Sequence, residues 1–304
     1  MVLNDKLIRV IAEALRDLQP ARLATGIGKA EFAANRRPPI GVGPIDHEVP
    51  VLRITTTDGQ QVRGIVFGYA CHCTVMSFYK WWGDYAGEAS QFLEERHPGA
   101  TALFFAGCGA DQNPLPRRKL ELGVKYGRML AAGVEEVLEA EMTAVAPTLW
   151  TGFRRVELEF QHIPSREELD AELSSDNIYA VRRARRLLER LERDGSLYAT
   201  YPYPVQVWKL GGGLTWIALG GEVVVDYSLR LKRELGLGKT WVTGYANDVM
   251  CYIPSERVLD EGGYEGASSM IVYQQPSPWK PGLEARIVDT VHDLIKESAA
   301  SAPE

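Results

Sequence analysis

The sequence predicts an α/β fold, a mixed β-sheet core with flanking helices, and three observations carry that reading. Short apolar runs of strand length, at 62–70, 101–106 and 240–245, alternate with amphipathic stretches of helix length. Asp58-Gly59 and Gly211-Gly212-Gly213 each separate two strand-like runs, which is the signature of hairpins. The 304 residues, 45% of them hydrophobic, can bury a large core, so one domain over 1–304 is expected, with a charged helical excursion at about 165–195.

Each element has its own warrant. In residues 4–18, Leu7, Ile8, Ile11, Leu15 and Leu18 form one stripe at helical spacing, and Asn4 can cap the start. The Gly- and Pro-rich segment 26–50, in which Asn35 and Arg36 lead towards Pro38, reads as irregular backbone of the kind that often carries function. A hairpin over 51–55 and 62–70 follows. Residues 86–96 predict a short helix, 101–106 a strand and 118–140 a longer helix. In that helix Gly123, Gly127 and Ala131 recur every four positions, so one face is nearly bare backbone and can approach a neighbour closely. Because glycine inside a helix costs about 1 kcal/mol relative to alanine, close packing has to compensate.

Residues 149–160 alternate as a strand does. The stretch 165–195 is dense in charge, with Ser165 and Glu168 in capping-box relation and a helix at 179–193, and reads as a surface excursion. Strands at 205–210 and 214–219 form the second hairpin, and Gly220-Gly221 turns the chain into a helix over 222–235. After the strand at 240–245 comes a Tyr-rich loop, 245–266, and a last helix at 283–297.

Composition excludes some functions. A net charge of −6 and a pI near 5.6 give no basic footprint for nucleic acid, and no apolar run is long enough to span a bilayer. Cys71, Cys73, Cys108 and Cys251 are too few for a disulfide framework in a chain of this size and read as reduced core thiols. Met1 opens a polar amphipathic stretch without the layout of a secretory leader; if the chain is complete, it belongs in the cytoplasm.

The residues that could do chemistry stand just after strands. His72 ends an apolar strand, Glu222 lies where a strand turns into a helix, and Tyr252 and Tyr264 lie in the loop that follows another strand. Singly, each has an ordinary structural reading: a satisfied core histidine, a glutamate favoured by a helix dipole, packed aromatics. Together an imidazole, a carboxylate and a phenol can converge on one borderline metal such as zinc.

These motifs bear a resemblance. From Leu18-Gln19-Pro20-Ala21-Arg22, through Asn35-Arg36 and Val51-Leu52-Arg53-Ile54, to Tyr264-Glu265-Gly266-Ala267-Ser268, the chain resembles the catalytic domain of the neutral/alkaline (non-lysosomal) ceramidase family, whose members are zinc amidohydrolases of N-acyl sphingoid lipids. The excursion at 165–195 is the least similar part. The resemblance implies that His72, Glu222 and Tyr252 bind Zn2+, that Tyr264 donates to the substrate oxygen, and that Asp84 shapes the site. Asp111 and Asn113 are expected to support it.

Two features depart from the family. Its Gly-Asp-x-Ser-Pro loop reads Gly109-Ala110-Asp111-Gln112-Asn113-Pro114 here, and an amide can hydrogen-bond a substrate but cannot act as a hydroxyl nucleophile. The family's His-Thr-His-Ser-Gly motif, source of another zinc histidine and of a general acid/base, is absent from this sequence, as is its C-terminal immunoglobulin-like domain. A longer polypeptide, a partner half or a homo-oligomer is therefore expected to complete the site. The resulting expectation is zinc-assisted amide hydrolysis of an N-acylated, lipid-like substrate, with two alternatives: a non-catalytic binding or assembly subunit, and a hydrolase of another small amide or ester.

Overall fold

The computed structural model describes residues 2–300. In chain order its strands are β1 (Ala21–Lys29), β2 (Ala33–Asn35), β3 (Glu48–Thr56), β4 (Val62–Tyr69), β5 (Thr101–Ala106), β6 (Gln112–Pro114), β7 (Thr143–Val145), β8 (Leu149–Glu159), β9 (Thr200–Leu210), β10 (Leu214–Leu219), β11 (Glu222–Val223), β12 (Thr240–Thr243) and β13 (Tyr252–Ile253). The helices are α1 (Val2–Arg16), α2 (Asp84–Arg96), α3 (Leu120–Glu139), α4 (Arg166–Glu172), α5 (Ile178–Asp194), α6 (Val225–Leu235), α7 (Glu256–Glu261), α8 (Ser269–Val272) and α9 (Leu283–Ala300). A π-helical turn at Tyr264–Ser268 lies between α7 and α8.

Period-two alternation sorts the strand side chains into layers. One sheet runs β5-β4-β3-β1-β7 and the other β12-β10-β9-β8. Both are mixed, because β4 pairs parallel with β5 and β10 with β12 while the other neighbours are antiparallel. Val49, Val51, Ile65 and Phe67 face α2 and α3. Leu52, Ile54 and Val66, on the opposite face, meet Leu214, Trp216 and Trp241 of the second sheet. Beyond that sheet, Ile217 and Leu219 pack under α6 and α9. The order is helices, sheet, sheet, helices, and the mixed α/β core expected from the sequence is what forms.

One expectation fails for a physical reason. Glycines at 26 and 28 suggested irregular backbone, yet β1 is a nine-residue strand paired with β3 along its whole length. These glycines serve a close approach by α3: a Cβ at Gly26 would lie 2.5 Å from Val137 Cγ1, and one at Gly28 would lie 2.1 Å from the Gly133 carbonyl oxygen. The same logic explains the small-residue face of α3, where a Cβ on Gly127 would meet that of Glu88 on α2 at 2.4 Å. Packing has overridden strand and helix propensity here.

A second correction concerns Glu222. It does not open a helix; it lies on β11, paired parallel with Tyr252 on β13, and α6 begins at Val225. The stretch expected to be a loop, 245–266, holds β13, α7 and the start of the π-helical turn.

The excursion is helical, as its charge pattern suggested. Ser165 and Glu168 form the capping box that starts α4. Arg183 of α5 is buried, pairs with Glu172 and donates to the Pro276 carbonyl oxygen at 3.0 Å, which ties the excursion to the body. The apolar stripe of α1, including Leu7, Ile8, Ile11 and Leu15, is exposed. Among the described residues, no helix is long and apolar enough to cross a membrane.

Candidate active site

Parallel pairing places strand ends together. β4 leads to His72, β5 to residues 110–113, β10 to Glu222 and β12 to Tyr245, so all four groups emerge at carboxyl ends of strands, where α/β folds hold ligands. A bridge between Gly107 and Thr243, and a hydrogen bond from Gly244 N to Ala106 O at 3.2 Å, fasten the ends of the two sheets to each other.

His72 Nε2 lies 2.8 Å from the Ala110 carbonyl oxygen. A carbonyl only accepts, so Nε2 carries the proton and Nδ1 keeps its lone pair, 3.3 Å from the Tyr245 hydroxyl. Burial and then the Arg36 charge hold this imidazole below the ordinary histidine pKa, so it is neutral at pH 7.

Glu222 is the hub. Its Oε2 accepts from the Tyr245 hydroxyl at 3.0 Å and lies 3.8 Å from His72 Nε2, while Oε1 accepts from the Tyr273 hydroxyl. Tyr252 is its partner across β11 and β13, and the Glu222 charge acts on its phenol. Burial first, and then the Glu222 charge, push the phenols of Tyr245 and Tyr273 above the ordinary tyrosine range, so both remain protonated donors. The Tyr252 phenol is likewise raised by burial, which Arg36 partly opposes.

Arg36 forms the other wall. Its Nη2 donates to the Tyr252 oxygen at 3.1 Å, its Nε donates to Glu265 Oε1 at 2.7 Å, and the guanidinium carbon lies 5.6 Å from the centre of the Tyr264 ring. Arg37 Nη1 donates to the second oxygen of Glu265 at 2.7 Å. Burial alone would raise the Glu265 pKa, but Arg36 and Arg37 outweigh it and hold the carboxyl below its ordinary value. Tyr264 stands at the mouth, 44% exposed, with its ring centre 5.3 Å from that of Tyr252. The π-helical turn sends Tyr264 outward and the buried Glu265 inward, a use of π geometry common at functional sites.

Asp111, Asn113 and Asp84 are placed differently. Asp111 is fully buried: Oδ1 accepts from Val225 N at the start of α6, Oδ2 accepts from Asn35 Nδ2, both at 2.9 Å, and its carbonyl accepts from Arg36 N at 2.8 Å. It thereby locks the segment that presents Arg36. Asn113 lines a cleft of about 760 Å3 together with Arg36, Arg37, Ile40, Arg117 and Tyr264. Asp84 accepts from the backbone N–H groups of Val75 at 3.0 Å and Tyr85 at 2.8 Å, closing the loop that follows His72. Among the described residues no hydrogen bond or ion pair joins Asp84 to His72, Glu222 or Tyr252, so its part is to hold the loop.

Burial pushes the Asp111 carboxyl up to about 6. Its folded pKa therefore exceeds the unfolded value near 4, and the native state binds the extra proton between those pH values, so this group's contribution falls as pH rises from about 4 to about 6. Relative to Asp111→Asn, the wild-type chain is expected to lose about 2–3 kcal/mol across that window. Urea unfolding of both proteins from pH 4 to 7 checks it; parallel curves would show that Asp111 titrates normally.

The structure brings His72, Glu222, Tyr252 and Tyr264 to one place. Sequence reasoning passed over Tyr245, Tyr273 and Glu265, and gave Arg36 no chemical role. The available signal was Asn35-Arg36-Arg37 within a Gly- and Pro-rich segment, which presents two cations at one turn.

The donor set can be tested against zinc, which the resemblance implies. Imidazole nitrogen, carboxylate and phenol oxygen are groups that zinc accepts. Glu222 is 7% exposed, and among the described residues no Lys or Arg lies within ion-pair distance of it, so a cation is what its environment lacks. The three residues fit as ligands on that ground. Among the described residues no three His, Cys, Asp or Glu side chains come together, so this set needs its phenol.

Two solved structures share the architecture. A neutral ceramidase from Pseudomonas aeruginosa superposes with a TM-score of 0.72 at 20% identity, over 99% of this chain and 56% of that one. A ceramidase complexed with C2 gives 0.68 at 17% identity, over 96% of this chain and 56% of that one. This is a ceramidase-like fold. The chain spans 56% of the length of each of these two proteins. No family model and no curated protein sequence matches it.

Proposed function

We propose that this chain is a zinc-assisted hydrolase of the amide bond in an N-acylated substrate. The observation that supports this reading most is the meeting of His72, Glu222 and Tyr252, far apart in sequence, beside a cleft in a fold whose solved neighbours are ceramidases. Zinc held by these three residues supplies Lewis acidity towards a carbonyl and acidifies water.

The chain's own groups do the rest. Tyr264, a protonated phenol at the mouth, donates to the oxyanion that develops as the carbonyl is attacked. Tyr245 and Tyr273 fix both oxygens of Glu222, so the carboxylate cannot rotate away. Arg36, held by Glu265, keeps its charge on the Tyr252 oxygen and favours the ionised phenol that a metal needs.

The leaving amine needs a proton. His72 is a poor source, because its Nε2–H is committed to the Ala110 carbonyl, and the phenols of Tyr245 and Tyr273 hold theirs tightly. That proton comes from a group outside this set, in keeping with the longer neighbours. The test is release of free amine from N-acyl sphingoids and from short N-acyl amines by the zinc-supplemented protein. Release that Tyr264→Phe slows by about 100-fold or more supports the reading; no release from either class overturns it.

A further inference from the structure

The cleft beside the candidate centre is cationic as well as apolar. Three guanidinium groups line it, those of Arg36, Arg37 and Arg117, together with Ile40, Leu115 and Tyr264. Two of the three are neutralised within the fold: Arg36 by Glu265, and Arg37 by Glu265 and Glu261.

Arg117 is different. Its side chain makes a 3.4 Å hydrogen bond from Nη1 to the Thr74 hydroxyl, and among the described residues no carboxylate lies within ion-pair distance. Burial, and then the charges of Arg118 and Arg36, work against its ionised form. Thr74, two residues beyond His72, in turn donates to Asn113 Oδ1 at 3.4 Å, which ties Arg117 to the loop that follows the imidazole.

We propose that the substrate carries an anionic group, a carboxylate close to the scissile amide, and that Arg117 binds it. This inference rests on the amide-hydrolase reading and narrows its substrate class to N-acylated amino acids and their like. An uncharged N-acyl amine would enter this cleft leaving Arg117 without a counter-charge. A planar carboxylate matches the guanidinium fork in two parallel hydrogen bonds, and an acyl chain suits Ile40 and Leu115.

The experiment compares N-lauroylglycine with N-lauroylethanolamine, which share acyl chain and amide and differ in the charged group. The wild-type protein with zinc is expected to show kcat/KM about ten- to a hundredfold higher for the carboxylate, the range for one charge-assisted hydrogen-bonding partner. Arg117→Met should bring that ratio close to one, and Arg117→Lys should retain part of it. Equal handling of both compounds by the wild-type protein overturns the proposal, as does a preference that survives Arg117→Met. Calorimetric binding of the same two compounds separates this from failure of the hydrolase reading. If neither is cleaved, a tenfold tighter wild-type Kd for N-lauroylglycine, lost in Arg117→Met, upholds the anion site, and equal Kd values refute it.

Discussion

Glu222→Gln is expected to remove amide hydrolysis and to weaken zinc binding by at least about a hundredfold, since loss of a group outside the ligand set already costs 10–100-fold. Glutamine keeps the shape but not the charge. One of its two termini is a donor, so one of the Tyr245 and Tyr273 hydroxyls, which now both donate to the carboxylate, would face another donor. The stability cost is about 1–3 kcal/mol for the group left unsatisfied. Elemental analysis, a turnover assay and an unfolding curve on one preparation separate these effects. A variant that keeps stoichiometric zinc and wild-type turnover would mean that Glu222 only organises its phenols.

Glu265→Leu is expected to destabilise the fold by about 3 kcal/mol, the lower end of the range for removing one partner of a buried ion pair. Glu265 is 5% exposed and accepts from Arg36 and Arg37 together, so the substitution leaves two guanidinium groups short of an anion. Arg37 retains Glu261 at 3.0 Å, which keeps the loss from being larger. Glu265→Gln should fall between, because the amide oxygen still accepts one hydrogen bond. Denaturant midpoints at pH 7 report the order, and a loss below about 1 kcal/mol for the leucine variant would show the pair to be solvent-screened.

Much of the fold was legible where local pattern and burial agree. The strand at 101–106 matches β5 residue for residue, and the hairpins around Asp58-Gly59 and Gly211-Gly212-Gly213 both form. Pattern misled where a distant element set the rule: β1 tolerates Gly26 and Gly28 because α3 presses on it, and Glu222 joins a two-residue strand because Tyr252 is there to pair with it. The same distinction runs through the site. His72, Glu222 and Tyr252 could be named from their positions after strands and from the resemblance. Tyr245, by contrast, points at Glu222 from a backbone with φ of +58°, a conformation unusual for a tyrosine and one that local sequence does not announce. Tyr273 and Arg36 reach the same centre through tertiary contacts spanning 51 and 216 residues of sequence.

The central claim is that an imidazole, a carboxylate and a phenol of this one chain grip the same zinc ion. Calorimetric titration of zinc into the metal-free protein, run beside His72→Ala and Tyr252→Phe, tests it most directly. The account predicts one zinc per chain, bound at least about tenfold more weakly when either residue is replaced. Zinc binding of equal strength in all three proteins, or none in the wild-type chain, would contradict it.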